Sequence, residues 1–404
     1  MNSRFYCHAA ILLVFTLFVT PLAYAELAPS QLVHQPEVCK AEGRPENYFD
    51  KFQIERCEFE NKYGTYFAIL VNYIQQVTLS SRRYEGNSLG AWYYNALLGQ
   101  RFWEGSLFVT GIEGGAGRTF NNKISTLSTL ADAAGEGSTC YVPLLFMKQD
   151  LFEEKVYVIG GRIDLTQWFD VNAVADSGDT QFLASAFVNN PTIPFPDYET
   201  GFVVGLKPVK WFYVQGGMGD APAFASRIGI TKAFYNKLIL AEAGVCPEIG
   251  KLHGNYRFIF RYDKQTLGLT DGSGARDGDA GFALCFDQEL TDKVMVFFRY
   301  GLADQRVRKV SDFWSLGIQI TVPFLSRKYD VIGLGVAQSI TGDDFRKTNG
   351  PGVAAQETVF EAYYSFQLNQ IITLSPDLQV VINPNADNTA DPLVMASIRA
   401  VLLF

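Results

Sequence analysis

Residues 393–404, LVMASIRAVLLF, alternate between two rows of side chains. The row that runs in steps of two from Val394 to Phe404 is wholly apolar, whereas the other row carries Ser397 and Arg399. Successive side chains of a β-strand point to opposite faces, so a period of two indicates a strand. One of its faces suits an apolar environment, and the other accommodates a charge.

The same pattern recurs upstream, at residues 255–262 (NYRFIFRY), 314–322 and 357–368. In the first of these segments, four aromatic side chains oppose a row that contains Arg257 and Arg261. Two arginines on a buried face of a soluble β-sandwich would each need a buried partner, whereas water in the lumen of a membrane barrel hydrates them at little cost. The sequence therefore favours an all-β fold, a transmembrane antiparallel β-barrel, over a sandwich.

The composition agrees with a large β protein. The 404 residues are 48% hydrophobic, 14% aromatic and 19% charged, with a formal net charge of -8. This charged share lies below the roughly 25% of soluble domains, and the abundant aromatic residues favour sheet. Because a net negative field repels a phosphate backbone, nucleic acid is excluded as a partner.

The first 25 residues have the pattern of a secretory signal peptide. Arg4 precedes an apolar run at residues 9–20, and residues 23–25 (Ala-Tyr-Ala) are suited to signal-peptidase cleavage. The run is shorter than the about 20 residues that a membrane-spanning helix needs. We therefore expect a cleaved signal peptide over residues 1–25, an N-terminal periplasmic extension or plug over residues 26–63, and an outer-membrane barrel domain over residues 64–404.

About seventeen candidate strands follow residue 60, and bacterial single-chain barrels have an even number, so we predict sixteen. The alternation is weakest at residues 90–100 and 141–149. Short turns such as 289–292 alternate with long polar loops such as 264–279 and 383–392. Short turns lie on the periplasmic side of outer-membrane barrels, and sixteen strands enclose an aqueous channel. The sequence thus predicts a pore with Phe404 at its periplasmic rim.

The cysteines and histidines do not indicate a metal site or an enzyme. Removal of the signal peptide leaves two histidines, His34 and His253, and the chain contains no HExxH or GxSxG motif. We therefore expect no catalytic activity, no metal and no cofactor. Removal of the signal peptide also removes Cys7 and leaves five cysteines. We predict a disulfide between Cys39 and Cys57, and we assign no partner to Cys140, Cys246 and Cys285.

Three longer stretches resemble the carbohydrate-selective porins of the OprB type. They are residues 160–191 (GGRIDLTQWFDVNAVADSGDTQFLASAFVNNP), 281–301 (GFALCFDQELTDKVMVFFRYG) and 357–384 (ETVFEAYYSFQLNQIITLSPDLQVVINP). The resemblance extends over residues 64–404 and implies an outer-membrane barrel of sixteen strands that passes sugars by diffusion. The residues that the resemblance places in matching segments are Arg162, Asp164, Asp170, Asp287, Arg299 and Glu361. The cysteines and the N-terminal extension depart from the family pattern.

A sugar pore needs polar side chains whose individual bonds to sugar hydroxyls are weak, since a tight site would block conduction. The predicted lining of the pore is Arg162, Asp164, Asp170, Glu242, Arg257, Arg261, Asp287, Arg299, Glu361 and Arg399, with Trp168 as a platform for stacking. Each has a structural alternative, because charges inside a barrel commonly pair with one another. Trp168 equally fits an interfacial aromatic girdle or the core of a folded-in loop.

Two functions remain open on the sequence. One is a porin for passive diffusion of mono- or oligosaccharides, with sugars and outer-membrane lipid as its partners. The other is a non-conducting barrel with a binding or structural role in the cell envelope, its lumen filled by residues 26–63 or by residues 168–196. The family resemblance makes a homotrimer or a monomer the expected state, and small outward residues such as Ala396 and Ala400 would permit close packing.

Overall fold

The computed structural model describes residues 59–80, 85–134, 137–221, 236–322, 329–369 and 371–404. The predicted signal peptide, most of the predicted N-terminal extension and the predicted Cys39–Cys57 disulfide lie outside these ranges. Residues 59–63 are helical and lead directly into the first strand.

The described chain is mostly strand. The named strands are β1 (Thr65–Ser80), β2 (Ser88–Gln100), β3 (Ser106–Gly117), β4 (Gly137–Tyr141), β5 (Leu145–Leu151), β6 (Val156–Ile163), β7 (Glu199–Val209), β8 (Phe212–Asp220), β9 (Lys237–Val245), β10 (Glu248–Ile249), β11 (Leu252–Gly268), β12 (Ala275–Glu289), β13 (Val294–Leu302), β14 (Val310–Thr321), β15 (Val331–Thr341), β16 (Gln356–Gln367), β17 (Ile372–Ile382) and β18 (Leu393–Leu403). Short α-helices cover Ser185–Val188 and Asp343–Asn349, and 3-10 helices cover Phe120–Asn122, Leu165–Gln167 and Pro384–Ala386. Within the described ranges, no helix combines the length and the apolar character needed to cross a membrane.

The strands close into a barrel. Each strand pairs antiparallel with its neighbours, and β1 pairs with β18 from Leu70 opposite Leu403 onward, which joins the two ends of the sheet. Among the described residues, the short β10 pairs with β11 alone, and β4 and β5 both pair with β3 as two parts of one wall strand. The wall therefore has sixteen strands, as predicted.

The interruption between β4 and β5 explains one of the two weak candidate strands. Residues 142–144 separate them, and Pro143 in this gap has no backbone N–H to donate to the ladder. The alternation fails here because the wall strand itself is broken. The other weak candidate, residues 90–100, is part of the regular strand β2.

The alternation of the sequence matches the two faces of the wall. On β18, Arg399 is 2% exposed and the neighbouring Ile398 is 41% exposed. On β11, Arg261 is fully buried and Phe258 is 48% exposed. Charged side chains thus point into the barrel, and the outer face presents apolar and aromatic side chains, as a lipid environment requires.

The two ends of the barrel differ. The end that holds Phe404 has mostly short connections, such as residues 210–211 and 290–293. Phe404 is fastened there to Ile69 of β1 by two backbone hydrogen bonds of 2.8 and 3.0 Å. The opposite end has the long connections, among them residues 164–198 between β6 and β7. By the usual asymmetry of such barrels, Phe404 lies at the periplasmic end.

Residues 164–198, which we call the inserted segment, fold back into the lumen. Phe169, Phe182 and Phe187 of this segment are fully buried against inward residues of the wall. At Gly335 of β15, an added Cβ would lie 2.7 Å from the Phe187 ring and 2.9 Å from the Phe182 ring, so only glycine allows this contact. The hydrophobic core of the protein therefore lies inside the barrel. Residues 168–196, which the sequence analysis offered as one possible filling of the lumen, belong to this inserted segment.

We predict that Phe298→Arg impairs assembly. Phe298 on β13 points outward, lies opposite Phe286 and Leu316, and is flanked by the buried Phe297 and Arg299. An arginine on the lipid face near the bilayer midplane costs roughly 2–4 kcal/mol. Gel migration before and after boiling measures the fraction of assembled barrel, and Phe298→Leu is the matched control. Wild-type assembly of Phe298→Arg would contradict the orientation of β13.

Candidate functional site

Arg299 of β13 joins three parts of the inserted segment. Its Nε lies 3.1 Å from Oδ2 of Asp170, and its Nη2 donates to the carbonyl oxygen of the same residue at 2.7 Å. Its Nη1 donates to the carbonyl oxygens of Ala175 and Phe187. Its Nη2 also lies 3.4 Å from Oδ1 of Asp176. The guanidinium is fully buried, so its donors serve carbonyl and carboxylate groups of the segment and are closed to solvent.

Arg399 of β18 holds the segment in the same way. Its Nη1 donates to the carbonyl oxygen of Gly178 at 2.6 Å, and its Nη2 donates to that of Gln181 at 2.7 Å. Carbonyl groups of irregular backbone inside a barrel need such donors, because the strands use their own hydrogen bonds to form the wall.

Wall carboxylates bind backbone N–H groups of the segment. Glu361 of β16 accepts hydrogen bonds from the N–H groups of Leu183 and Ala184. Glu242 of β9 accepts one from the N–H of Asp170 at 3.2 Å, and one from the Tyr213 hydroxyl at 2.7 Å. Both carboxylates are 3% exposed. Arginines and carboxylates of the wall thus satisfy opposite kinds of backbone group.

The inward charges of β11 pair within the wall. Arg257 Nη1 lies 2.7 Å from Oδ2 of Asp287, and Arg261 Nη1 lies 2.6 Å from Oδ2 of Asp279. Asp279 also contacts Nε of Arg308 at 2.6 Å, in the connection between β13 and β14. These pairs tie adjacent strands and a long loop together.

Two further predicted residues lie away from open lumen. Arg162 is opposite Leu145 and Thr200 in the strand register, and its Nε donates to the carbonyl oxygen of Pro143 at 3.1 Å. Trp168 is 9% exposed, and its ring contacts the rings of Phe146 and Tyr157 at centroid distances of 6.5 and 6.4 Å. Trp168 thus occupies the core of a folded-in loop, one of the alternatives that its sequence position allowed.

A cavity of about 760 Å³ remains between the inserted segment, the wall formed by β1 to β4, and residues 127–134 of the connection between β3 and β4. Of the eleven predicted pore residues, Asp164 lines this cavity in the described part of the chain. Its carboxylate caps the 3-10 helix Leu165–Gln167 by accepting from the N–H and hydroxyl of Thr166. The other ten contact the segment, the wall or one another.

The cavity is acidic. The ionisable and aromatic side chains that line it are Tyr93, Glu113, Asp132, Tyr141, Asp164, Asp176, Asp179, Phe195, Asp197 and Tyr198. Within the described ranges, no lysine, arginine or histidine is among the lining residues. Six carboxyl groups therefore surround this space. One of them, Asp176, lies 3.4 Å from Nη2 of Arg299, a residue that does not itself line the cavity.

Glu113 of β3 is held by tyrosines. Its Oε1 accepts a hydrogen bond from the Tyr141 hydroxyl, and its Oε2 accepts one from the Tyr198 hydroxyl at 2.6 Å. The rings of Tyr141 and Tyr198 are 6.1 Å apart. Sequence reasoning missed this cluster, because Glu113 lies in a glycine-rich stretch, GIEGGAG, and Tyr141 lies beside the break in the wall strand.

Burial raises the pKa of the loop carboxyl groups around the cavity. The pKa of Asp132 rises to about 7, first because the surrounding protein reduces its hydration and then through the negative charges of Asp179, Asp164 and Asp197. Burial also raises the pKa of Asp164 and of Asp197. These groups therefore lose their charge at a higher pH than an ordinary aspartate, whose pKa is about 3.9.

The described cysteines are in two states. Cys246 and Cys285 are free, and the buried Cys285 Sγ lies 3.5 Å from the carbonyl oxygen of Asp170. Cys140 is disulfide-bonded, and its partner lies outside the described residues, as do Cys39 and Cys57. No group of three or more His, Cys, Asp and Glu side chains in the described ranges is arranged to hold a metal ion.

Comparison with known proteins gives a family match over most of the chain. Residues 98–404 match the model of the carbohydrate-selective porin, OprB family, and this range contains the three stretches whose resemblance the sequence showed. Porin B of Pseudomonas aeruginosa is 25% identical over an alignment of 327 residues, and the match covers 69% of this chain and 71% of that protein. Porin AaxA of Chlamydia caviae is 24% identical over an alignment of 298 residues. The match covers 70% of this chain and 62% of that protein, so less than two thirds of the relative's length is matched.

Solved structures share the fold. The high-pH structure of Pseudomonas putida OprB has a TM-score of 0.75 at 18% identity, covering 87% of this chain and 96% of that one. The outer-membrane channel DcaP of Acinetobacter baumannii has a TM-score of 0.54 at 9% identity, covering 84% and 97%. At these identities the likeness concerns the barrel architecture.

We predict that Arg299→Met loosens the inserted segment. Methionine keeps much of the volume but leaves the Asp170 carboxylate and three carbonyl groups without their donor, and breaking a buried ion pair costs about 3–5 kcal/mol. Limited proteolysis of unboiled protein, with the cleavage sites mapped by mass spectrometry, should show new cuts within residues 164–198. Arg306→Met is the matched control, since it removes a surface pair with Asp304. Equal resistance of both variants would contradict this role of Arg299.

Proposed function

The chain belongs to the OprB family of carbohydrate-selective porins of the outer membrane, and we propose that it lets carbohydrates diffuse passively across that membrane through its lumen. A porin is a channel, so its function requires binding that is weak enough for release and no catalytic step. The proposal extends the family membership to a substrate class and a mode of transport.

The observation that carries the proposal is the cavity beside β1 to β4. Its volume of about 760 Å³ lies within the range of small-molecule sites, about 300–1,000 Å³. Carboxylates accept hydrogen bonds from sugar hydroxyls, and tyrosine rings contact the apolar faces of sugar rings. Glu113, Tyr141, Tyr198 and Asp164 bring these two kinds of contact together.

We assign different roles to the residues that the sequence marked as pore lining. Asp164 keeps its proposed place in the solute path. We propose that Asp170, Glu242, Arg299, Glu361 and Arg399 instead position the inserted segment, since their polar atoms bond to it or within it. Residues 1–25 remain a proposed signal peptide, residues 26–63 a proposed extension and residues 64–404 the proposed barrel domain.

Planar-bilayer conductance of the purified protein tests the function. We expect an ion current that mono- and oligosaccharides reduce in a concentration-dependent way. Glu113→Gln, which keeps the shape of the side chain and removes its charge, should weaken this block, with Glu153→Gln in an exposed turn as the control. A barrel that assembles but carries no current would favour the alternative, a binding or structural protein of the cell envelope.

We predict that the current is cation-selective and that this selectivity falls on acidification. The acidic lining attracts cations, and carboxyl groups with a raised pKa become neutral as the pH falls through that value. The reversal potential in a KCl gradient, measured from pH 8 to pH 5, should shift toward zero within this range. Selectivity that stays constant down to pH 5 would contradict the assignment.

Asp132→Asn should remove the part of this titration near pH 7. Coulomb's law in water gives about 0.4 kcal/mol for one charge at a distance of about 10 Å, favourable for a cation and unfavourable for an anion, so the ratio of cation to anion permeability should fall roughly fourfold at pH 8. Asp271→Asn, in an exposed loop outside the cavity, is the control for the reversal potential.

A further inference from the structure

A compact turn at residues 177–181 lies in the middle of the inserted segment. The Ser177 carbonyl oxygen accepts from the N–H of Gln181 at 3.0 Å, and the Ser177 hydroxyl oxygen accepts from the N–H groups of Asp179 and Thr180 at 3.2 Å each. The carbonyl oxygens of Gly178 and Gln181 are the two that Arg399 of β18 binds. The turn is therefore closed on itself and fixed to one wall strand.

Asp179 connects the same turn to the next two strands. Its Oδ1 accepts a hydrogen bond from Nδ2 of Asn72 on β1 at 2.7 Å, and another from the hydroxyl of Tyr93 on β2. Asn72 is fully buried, Asp179 is 6% exposed and Tyr93 is 8% exposed. One carboxylate oxygen thus links the inserted segment to the wall across the place where the barrel closes.

This link lies at the boundary of the cavity. Asp179 and Tyr93 both line it, and the space continues from them toward Glu113 and Tyr141 on β3 and β4. On its other side the segment is held by Arg299 of β13. The segment is also bonded to the connection between β3 and β4, where the N–H of Asp132 donates to the Leu183 carbonyl oxygen at 2.8 Å. Residues 177–181 are the part of the segment that bonds to β1 and β2 beside the cavity.

We propose that Asp179 is a positioning residue whose bonds to Asn72 and Tyr93 set the width of the passage, and hence the largest solute that enters it. The inference rests on the proposed function and deepens it, since it names the contact that limits solute size. Asp179 acts here through its acceptor oxygen. Its negative charge is a separate property and contributes to ion selectivity.

The chain offers variants that separate the two properties. Asp179→Asn keeps the acceptor oxygen Oδ1 and removes the charge, whereas Asp179→Ala removes both. Tyr93→Phe removes one hydrogen-bond donor without changing the charge. Tyr256→Phe is its matched control, since it also removes one tyrosine hydroxyl, which donates to Gln288 at 2.7 Å on the outer face of the wall, away from the cavity.

The experiment is polymer exclusion in planar bilayers, with polyethylene glycols of graded size added to wild type and to each variant. We expect Asp179→Ala and Tyr93→Phe to admit a polymer that wild type excludes and to show a higher single-channel conductance. Asp179→Asn and Tyr256→Phe should keep the wild-type exclusion limit, and Asp179→Asn should be less selective for cations. Gel migration before and after boiling verifies assembly, and Tyr93→Phe tests the inference even if Asp179→Ala fails to assemble.

The outcomes separate the two levels of the proposal. A wild-type protein that assembles without conducting would overturn the proposed function and this inference with it. Wild-type current together with an unchanged exclusion limit in Tyr93→Phe and Asp179→Ala would overturn the inference alone. An exclusion limit that shifts equally in Asp179→Asn and Asp179→Ala would mean that the charge, rather than the hydrogen bonds, holds the segment, which also overturns it.

Discussion

Irregular backbone inside a closed barrel is stable only if its peptide groups find hydrogen-bond partners, and charged side chains of the wall provide them here. The strands use their own N–H and C=O groups for the barrel ladder, so the inserted segment must be satisfied by side chains or by itself. Arg299 and Arg399 donate to its carbonyl groups, and Glu361 and Glu242 accept from its N–H groups. The inner face of the wall must therefore be polar, because the peptide groups of the inserted segment need hydrogen-bond partners there.

This requirement also decides the electrostatic character of the remaining space. Each inward arginine that bonds to the segment or to a wall carboxylate is withdrawn from open lumen, as the buried Arg261 and its partner Asp279 show. The cavity is left with carboxyl groups that lack a lining cation in the described chain. The cavity is therefore acidic although the inner wall is rich in arginine, because the inward arginines bond to the inserted segment or to carboxylates of the wall.

The sequence predicted the wall better than its contents. A period of two identifies the face on which Arg257, Arg299 and Arg399 lie, because alternation follows from strand geometry alone. It carries no information about which groups occupy the space inside, and residues 164–198 have no period from which their path can be derived. The roles of Arg299 and Arg399 therefore required the structure, as did the cavity around Glu113, where glycines and a break at Pro143 interrupt the pattern.

The contacts of the inserted segment have a consequence for the order of assembly. The segment follows β6, yet Arg299 is 129 positions from Asp170 and Arg399 is 221 positions from Gly178. Contacts between such distant parts of a chain form slowly, because a long loop must close before they contribute. The segment reaches its final place only after β13 and β18 have joined the wall. Until then its peptide groups are hydrated, and they exchange water for side chains of the wall in the last stage of folding.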